Sequence, residues 1–398
     1  MMSPIEEMFT NEFFAEVFKK HLANFKDVSK INVSNVVAAG ESFSSELLRI
    51  RVTYSTIQGQ NDEGVSVIVK ILKDNEQLTA VNKDLKIYDT ESSIYGEVFP
   101  LMAKIGFKQK IGPKVYLISK HPMSMLIMED MSDLGYKMYN RQEGLDLEHC
   151  LVILKKLAIF HAASVVLQKN NPELLKKFNR SPCSKENIIK KFLAVTHSEL
   201  LKVLSKVPGL QKYVKRIPTK ETIYHKSYSA EIQSTTFNVL NHGDLWCNNI
   251  MFQYKPNGEV KDAVFVDYQL SYIASPCIDL HHLFGTSLKS QNKEKELYTA
   301  LNYYFDELLS NLKKLGVYNI PTREELYEDF KERAMLGFGA LCFIVPLIRA
   351  GNLEDTTIKM YLEEAGGESF RHHCFNNRQY VEELQQLLPF YEKLGVFD

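Results

Sequence analysis

The stretch NHGDLWCNNIMFQY, residues 241–254, constrains this chain more than any other. It sets His242, Asp244, Asn248 and Asn249 around the only tryptophan, Trp246, between short apolar runs. Polar groups this dense need a turn to hold them. The strand-like FNVL precedes them, and MFQY, KPNGEVKD and AVFVD follow, a strand–turn–strand pattern. A hairpin returns the end of its second strand to the start of its first, so Asp267 comes back to the neighbourhood of Asp244 and Asn249. Two carboxylates and an amide oxygen converging there suit a hard cation such as Mg²⁺, which takes oxygen ligands and keeps some water. Phosphoryl transfer from a nucleotide needs such a set: a carboxylate beside the attacking hydroxyl and metal ions across the β- and γ-phosphates. An Asp followed five residues later by a metal-binding Asn is the spacing of the kinase catalytic loop. On this reading Asp244 orients the acceptor hydroxyl and takes its proton. Asn249 and Asp267 hold magnesium, and DYQ at 267–269 stands where DFG is usual. The plain alternative is a structural Asx-rich turn.

Length and charge set bounds. With 398 residues, 48 basic and 49 acidic side chains and a formal charge of -1, the chain holds two or three domains or one bilobed unit. Nothing in that balance attracts nucleic acid or anionic lipid in bulk. The six cysteines are scattered without a CxxC pair and read as reduced thiols. The N-terminus lacks the basic region and apolar stretch of a secretion signal. The apolar run AMLGFGALCFIVPLI, 334–348, is shorter than the roughly 20 residues of a membrane span and reads as a buried helix. The expectation is a cytoplasmic protein without a membrane span.

Periodicity divides the chain. Residues 5–25 show helical spacing. SELLRIRVTYSTI at 45–57 and VSVIVKIL at 65–72, joined by GQNDEG, form a hairpin pattern. A helical stretch at 84–99 is followed by two further strands, KVYLIS at 114–119 and SMLIMED at 124–130. Beyond 145 the pattern is mainly helical, broken by the second hairpin. The fold class expected is α+β and bilobal: a small antiparallel N-lobe over 1–131 and a larger, mainly helical C-lobe over 132–398.

A kinase-like lobe needs a lysine for the α- and β-phosphates on a strand and a carboxylate to hold it. VIVKIL supplies Lys70, a lone charge in an apolar strand; the alternative is an edge lysine that blocks aggregation. Tyr88, Glu91 and Tyr95 share one helix face, which selects Glu91 over Glu97 as its partner. Upstream, the loop AAGESFSS, with Gly40, Ser42, Phe43 and Ser44, lies directly before a strand, where backbone N–H groups can approach phosphates. In MLIMEDM the Glu129 carbonyl and the Met131 N–H are placed to pair with adenine, with Met128 shaping the rear of the pocket. The cofactors expected are ATP and Mg²⁺.

Together these segments resemble the insect ecdysteroid-kinase-like family, a branch of the choline-kinase and aminoglycoside-phosphotransferase group. The resemblance rests on GESFSS, Tyr88-Glu91-Tyr95-Pro100, LIMEDM, LAIFHAAS, HGDLWCNNIMF, VFVDYQ and SPCIDL, in family order from about 40 to 280. It implies a protein-kinase-like fold that phosphorylates a small molecule with ATP and Mg²⁺, the acceptor being a hydroxyl of an ecdysteroid-like steroid. Kinases for xenobiotic alcohols or choline-like amines are the alternatives, and a catalytically silent nucleotide- or hormone-binding protein is the non-enzymatic one. Tyr268 departs from the commoner Phe, and Glu41-Ser42 from Glu-Asn. Asp279 matches a position that braces the catalytic loop. His161 reads as a core histidine, and Trp246 as packing support for its loop. His281–His282 and the Arg371–Cys374 run lack the ligand geometry of a metal site. Tyr303, Tyr304, Phe305, Phe338 and Phe343 hint at an apolar acceptor wall, although core packing explains them equally well.

Overall fold

The computed structural model describes residues 8–36, 45–59, 62–72, 86–179, 186–232, 234, 237–289, 293–350, 358–363 and 366–398. The fold is α+β, and the chain divides into two compact units, Met1–Lys104 with Gly112–Lys137, and Ile105–Ile111 with Met138–Asp398.

The first unit is built on an antiparallel sheet of five strands, β1 (Phe25–Asn35), β2 (Ser45–Thr56), β3 (Glu63–Leu72), β4 (Val115–Ser119) and β5 (Met125–Glu129), in the order β1-β2-β3-β5-β4. Strand side chains alternate between faces. Leu48, Ile50 and Val52 of β2, Val67, Val69 and Ile71 of β3, and Met125 and Ile127 of β5 share one core with Phe14 and Phe18 of the Asn11–Phe18 helix. Thr10 caps that helix through its side chain. Strand β1 falls in a stretch with no clear alternation, because it is an edge strand and most of its residues are exposed or half-buried.

Lys70 has the opposite parity to Val67, Val69 and Ile71 and so leaves the sheet on the other face. Its strand is central: Lys70 pairs with Leu47 on one side and Leu126 on the other, which removes the edge-lysine reading. The helix on that face runs Ile87–Ser93, continues through a π turn at Ile94–Val98 and ends as Phe99–Lys104.

The second unit is organised around the Leu147–Asn170 helix, capped by Asp146, whose carboxylate accepts the His149 N–H at 3.0 Å. This helix, rather than the 334–348 run, is long and apolar enough by length and composition to cross a membrane, yet 67% of its apolar window is buried inside the protein. It packs on the Lys293–Lys314 helix and on strands Val239–Asn241 and Val260–Phe265. The second hairpin pairs Ile250–Tyr254 with Val260–Phe265, Ile250 opposite Phe265. The 334–348 run is helical and largely buried, with a π turn at Ala340–Ile344 and Pro346 in the first turn of Val345–Arg349.

A fully buried ion pair ties this unit together. Arg349 Nε meets Glu383 Oε1 at 2.9 Å, and its other nitrogens donate to the carbonyls of Arg141 and Leu288. Removing one partner leaves an uncompensated buried charge, which costs about 3–5 kcal/mol. Arg349→Ala is therefore expected to lower the unfolding free energy by that amount in urea titrations. A loss under about 1 kcal/mol, the level of exposed pairs, would contradict this reading of the pair.

Candidate active site

In the first unit, Lys70 Nζ lies 2.7 Å from Glu91 Oε2, with side-chain exposures of 10% and 4%. Glu97 is exposed. The helix that carries Glu91 is fixed to the sheet by the Tyr88 hydroxyl, which donates to the Ser119 and Met125 carbonyls. A buried lysine retains its charge when a carboxylate sits against it. Met128 and Met131 are buried, and Glu129 ends β5. The residue between them, Asp130, carries no weight in the sequence but organises the segment. Its buried carboxylate accepts from Arg49 Nε at 2.7 Å, Ser66 Oγ at 2.7 Å and the Ser132 N–H at 3.0 Å. Burial alone would raise that carboxyl; the hydrogen bonds and the Arg49 charge hold it below its ordinary value. Gly40, Ser42, Phe43 and Ser44 lie outside the described residues.

In the second unit, the loop after strand Val239–Asn241 is shaped by the Cys277–Ser287 helix. Asp279, fully buried in the first turn of that helix, accepts the His242 N–H on Oδ2 at 2.7 Å and the Gly243 N–H on Oδ1 at 2.9 Å. His161 Nε2 lies 3.1 Å from the same Oδ2, and its Nδ1 meets the Tyr304 hydroxyl. Desolvation would raise the Asp279 carboxyl, but His161 and the backbone N–H groups of the loop hold it below its ordinary value. Gly243 has φ +83, and a Cβ there would come within 2.0 Å of the Leu270 carbonyl oxygen, so only glycine fits. Further along, the Cys247 N–H donates to Ser287 Oγ at the far end of the helix.

His242 is fully buried and its partners define its state. Nε2 donates to the Val266 carbonyl at 3.0 Å, and Nδ1 accepts the Asp244 N–H at 3.3 Å. Desolvation pushes its pKa down, which fits a neutral ring with one donor and one acceptor. Tyr268 packs against it at 4.5 Å between ring centres; its hydroxyl, the addition relative to Phe, reaches the Ile111 carbonyl at 3.5 Å.

Asp244 is a quarter exposed. Asn249 donates from Nδ2 to the Asp244 backbone carbonyl at 2.8 Å and to Oδ2 at 2.9 Å. On the other oxygen, His282 Nε2 lies 3.1 Å from Oδ1. Desolvation would raise the carboxyl, but the hydrogen bonds from His282 and Asn249 more than offset it and hold it below its ordinary value. Asp244 is thus an ionised acceptor with a quarter of its side chain exposed. Asn249 spends its amide hydrogens on Asp244, so the atom it offers a cation is its carbonyl oxygen. The hairpin brings the chain at Asp267 back beside Asn249: the Val266 N–H donates to the Asn249 backbone carbonyl at 3.0 Å, and Asp267 is the next residue. Asp267 turns out of the strand in the left-handed region, φ 67. Oxygen donors from an amide and a carboxylate fit a hard cation. Among the described residues no group of three or more His, Cys, Asp or Glu side chains could hold a metal, the Arg371–Cys374 run included.

The adjacent histidines part company. His281 stacks on Phe330 at 4.0 Å, donates to its carbonyl and is pushed down to about 4 by burial. His282, set aside with it in the sequence, reaches Asp244. The signal that would have found it is its position three residues after Asp279, on the same helix face. Trp246 is half-buried, and its carbonyl closes the turn by accepting the Asn249 N–H. Tyr304, Phe305, Phe338 and Phe343 are buried core residues, so their aromatic content says nothing about an acceptor wall, and Tyr303 is half-buried.

The model of the "Ecdysteroid kinase-like family" matches residues 39–317 of this chain. No curated protein matches it. Solved structures similar to it include a choline/ethanolamine kinase family protein from Mesorhizobium loti, at 13% identity and TM-score 0.37 over 89% of this chain and 92% of that one. Another is a glucosamine kinase, at 12% identity and TM-score 0.37 over 91% and 94%.

The Asp279 carboxylate is expected to hold the loop. Asp279→Asn replaces an acceptor of two backbone N–H groups with an amide that can turn a donor toward one of them, costing about 2–4 kcal/mol at pH 7. A carboxyl depressed below 3.8 contributes stability that is fully present above its unfolded value and is lost as pH falls through its folded one. The gap between wild type and variant should therefore narrow in the acid range, as pH falls below the unfolded carboxyl value of about 4. Denaturant midpoints measured across that range check this; a constant gap would contradict it.

Proposed function

Because this chain belongs to the ecdysteroid kinase-like family, we propose that it is a small-molecule kinase that transfers the γ-phosphate of ATP to an alcohol, with an ecdysteroid-like steroid as the acceptor. The observation that carries the reading is the state of Asp244. It is an ionised carboxylate, held on both oxygens and a quarter exposed.

The roles follow from what each group can do. Asp244 receives the hydroxyl proton of the acceptor as that oxygen bonds to phosphorus; the electron pair of the broken bridging bond departs with ADP. The Asn249 carbonyl oxygen and the Asp267 carboxylate would hold Mg²⁺, which when bound neutralises phosphate charge. Lys70, fixed by Glu91, would hold the α- and β-phosphates. Gly40, Ser42, Phe43 and Ser44 would cover them with backbone N–H groups. The Glu129 carbonyl and the Met131 N–H, steadied by the Asp130 brace and backed by Met128, would meet adenine.

A steady-state assay of ADP release tests this over ecdysteroids, xenobiotic alcohols and choline-like amines. Turnover is expected with a steroid alcohol. Asp244→Asn and Asp267→Ala should each lower kcat/KM by about 10²–10⁴-fold, with both variants folded. Unchanged turnover in both would sink the assignment. Turnover confined to another acceptor class would move the substrate while keeping the chemistry. Nucleotide binding without turnover on any acceptor would favour a silent binding protein.

A further inference from the structure

Asp244 must present its carboxylate to a hydroxyl in one orientation, and the last torsion of an aspartate is broad and loosely set by itself. Asn249 fixes Oδ2 at 2.9 Å but leaves the other oxygen to be held from elsewhere. The group that does so is His282, Nε2 to Oδ1 at 3.1 Å, with both side chains a quarter exposed. An ionised carboxylate only accepts, so Nε2 carries the hydrogen. Among the described residues Nδ1 has no hydrogen-bond partner. The backbone of His282 is fixed by the helix, where its carbonyl accepts the Thr286 hydroxyl at 2.6 Å.

The placement is built by one helix face. Asp279 and His282 are three residues apart, adjacent on the surface of the Cys277–Ser287 helix. The first takes the backbone N–H groups of His242 and Gly243; the second takes the side chain of the next residue, Asp244. A shift of the helix moves loop and carboxylate together, so their mutual geometry is preserved.

We propose that His282 is the positioning residue of Asp244: its Nε2–H fixes Oδ1, so that the carboxylate meets the acceptor hydroxyl in a single orientation. The role rests on the kinase reading of Asp244. It lies apart from nucleotide binding, which uses other groups.

Two amides separate this role from simple packing. In His282→Gln the amide nitrogen reaches the place of Nε2; in His282→Asn it reaches only that of Nδ1. With the full-length chain, Mg²⁺, ATP and the best acceptor, the Asn variant is expected to lose about 10–100-fold in kcat, the scale of a misplaced catalytic group. Its nucleotide KM should stay within about twofold of wild type, while the Gln variant recovers to within about fivefold in kcat. Equal kcat for wild type and Asn variant, or a Gln variant as slow as the Asn variant at unchanged thermal midpoint, overturns the role of His282 alone. Wild-type protein that binds Mg·ATP and transfers phosphate to nothing overturns the kinase reading, and this role with it.

Discussion

The candidate site depends on one buried carboxylate. Asp279 takes two successive backbone N–H groups, those of His242 and Gly243, and is itself held by His161. Without that acceptor, two N–H groups would be left buried and unsatisfied, each at a cost of about 1–3 kcal/mol. The rest follows from satisfying them. The loop turns at Gly243 because only a residue without Cβ passes the Leu270 carbonyl. His242 closes onto Val266 and so registers the loop against the end of the hairpin. Asp244 and Asn249 then face each other.

The two units prepare their groups in different ways. In the first, the pleat of a central strand puts Lys70 on the face opposite the core, and a helix delivers Glu91 to it. In the second, a helix acts as template for a loop. Both devices place charge where water is scarce while giving each charge a partner, the condition for keeping a buried group ionised. The carboxyls of Asp130, Asp244 and Asp279 all lie below their ordinary value although burial pushes each the other way.

Much of this was legible in the sequence because it rests on periodicity and spacing. The hairpin at 45–72, the strands near 115 and 125, and the second hairpin are local patterns. Tyr88 and Glu91 share a face of the α-helical stretch, and Tyr95 follows as the second residue of the π turn. What escaped depends on long-range contact. Strand β1 is a mostly exposed edge and carries no alternation. Asp130 looks like an ordinary charge until Arg49 and Ser66 converge on it from 81 and 64 positions away. His282 looks like half of a histidine pair until the fold sends its neighbour to Phe330 and brings Asp244 to it from 38 positions away. Tyr304, Phe305, Phe338 and Phe343, open in the sequence between an acceptor wall and core packing, are buried in the core.

The central claim is that this chain moves a γ-phosphoryl group to an alcohol oxygen. The most direct measurement is mass spectrometry of a mixture of steroid and xenobiotic alcohols after incubation with the protein, Mg²⁺ and ATP labelled with ¹⁸O in the γ-phosphate. The account predicts a phosphorylated alcohol that carries the labelled phosphoryl oxygens and is absent when Asp244→Asn replaces the wild type. A protein that binds Mg·ATP and leaves every alcohol unlabelled would contradict it.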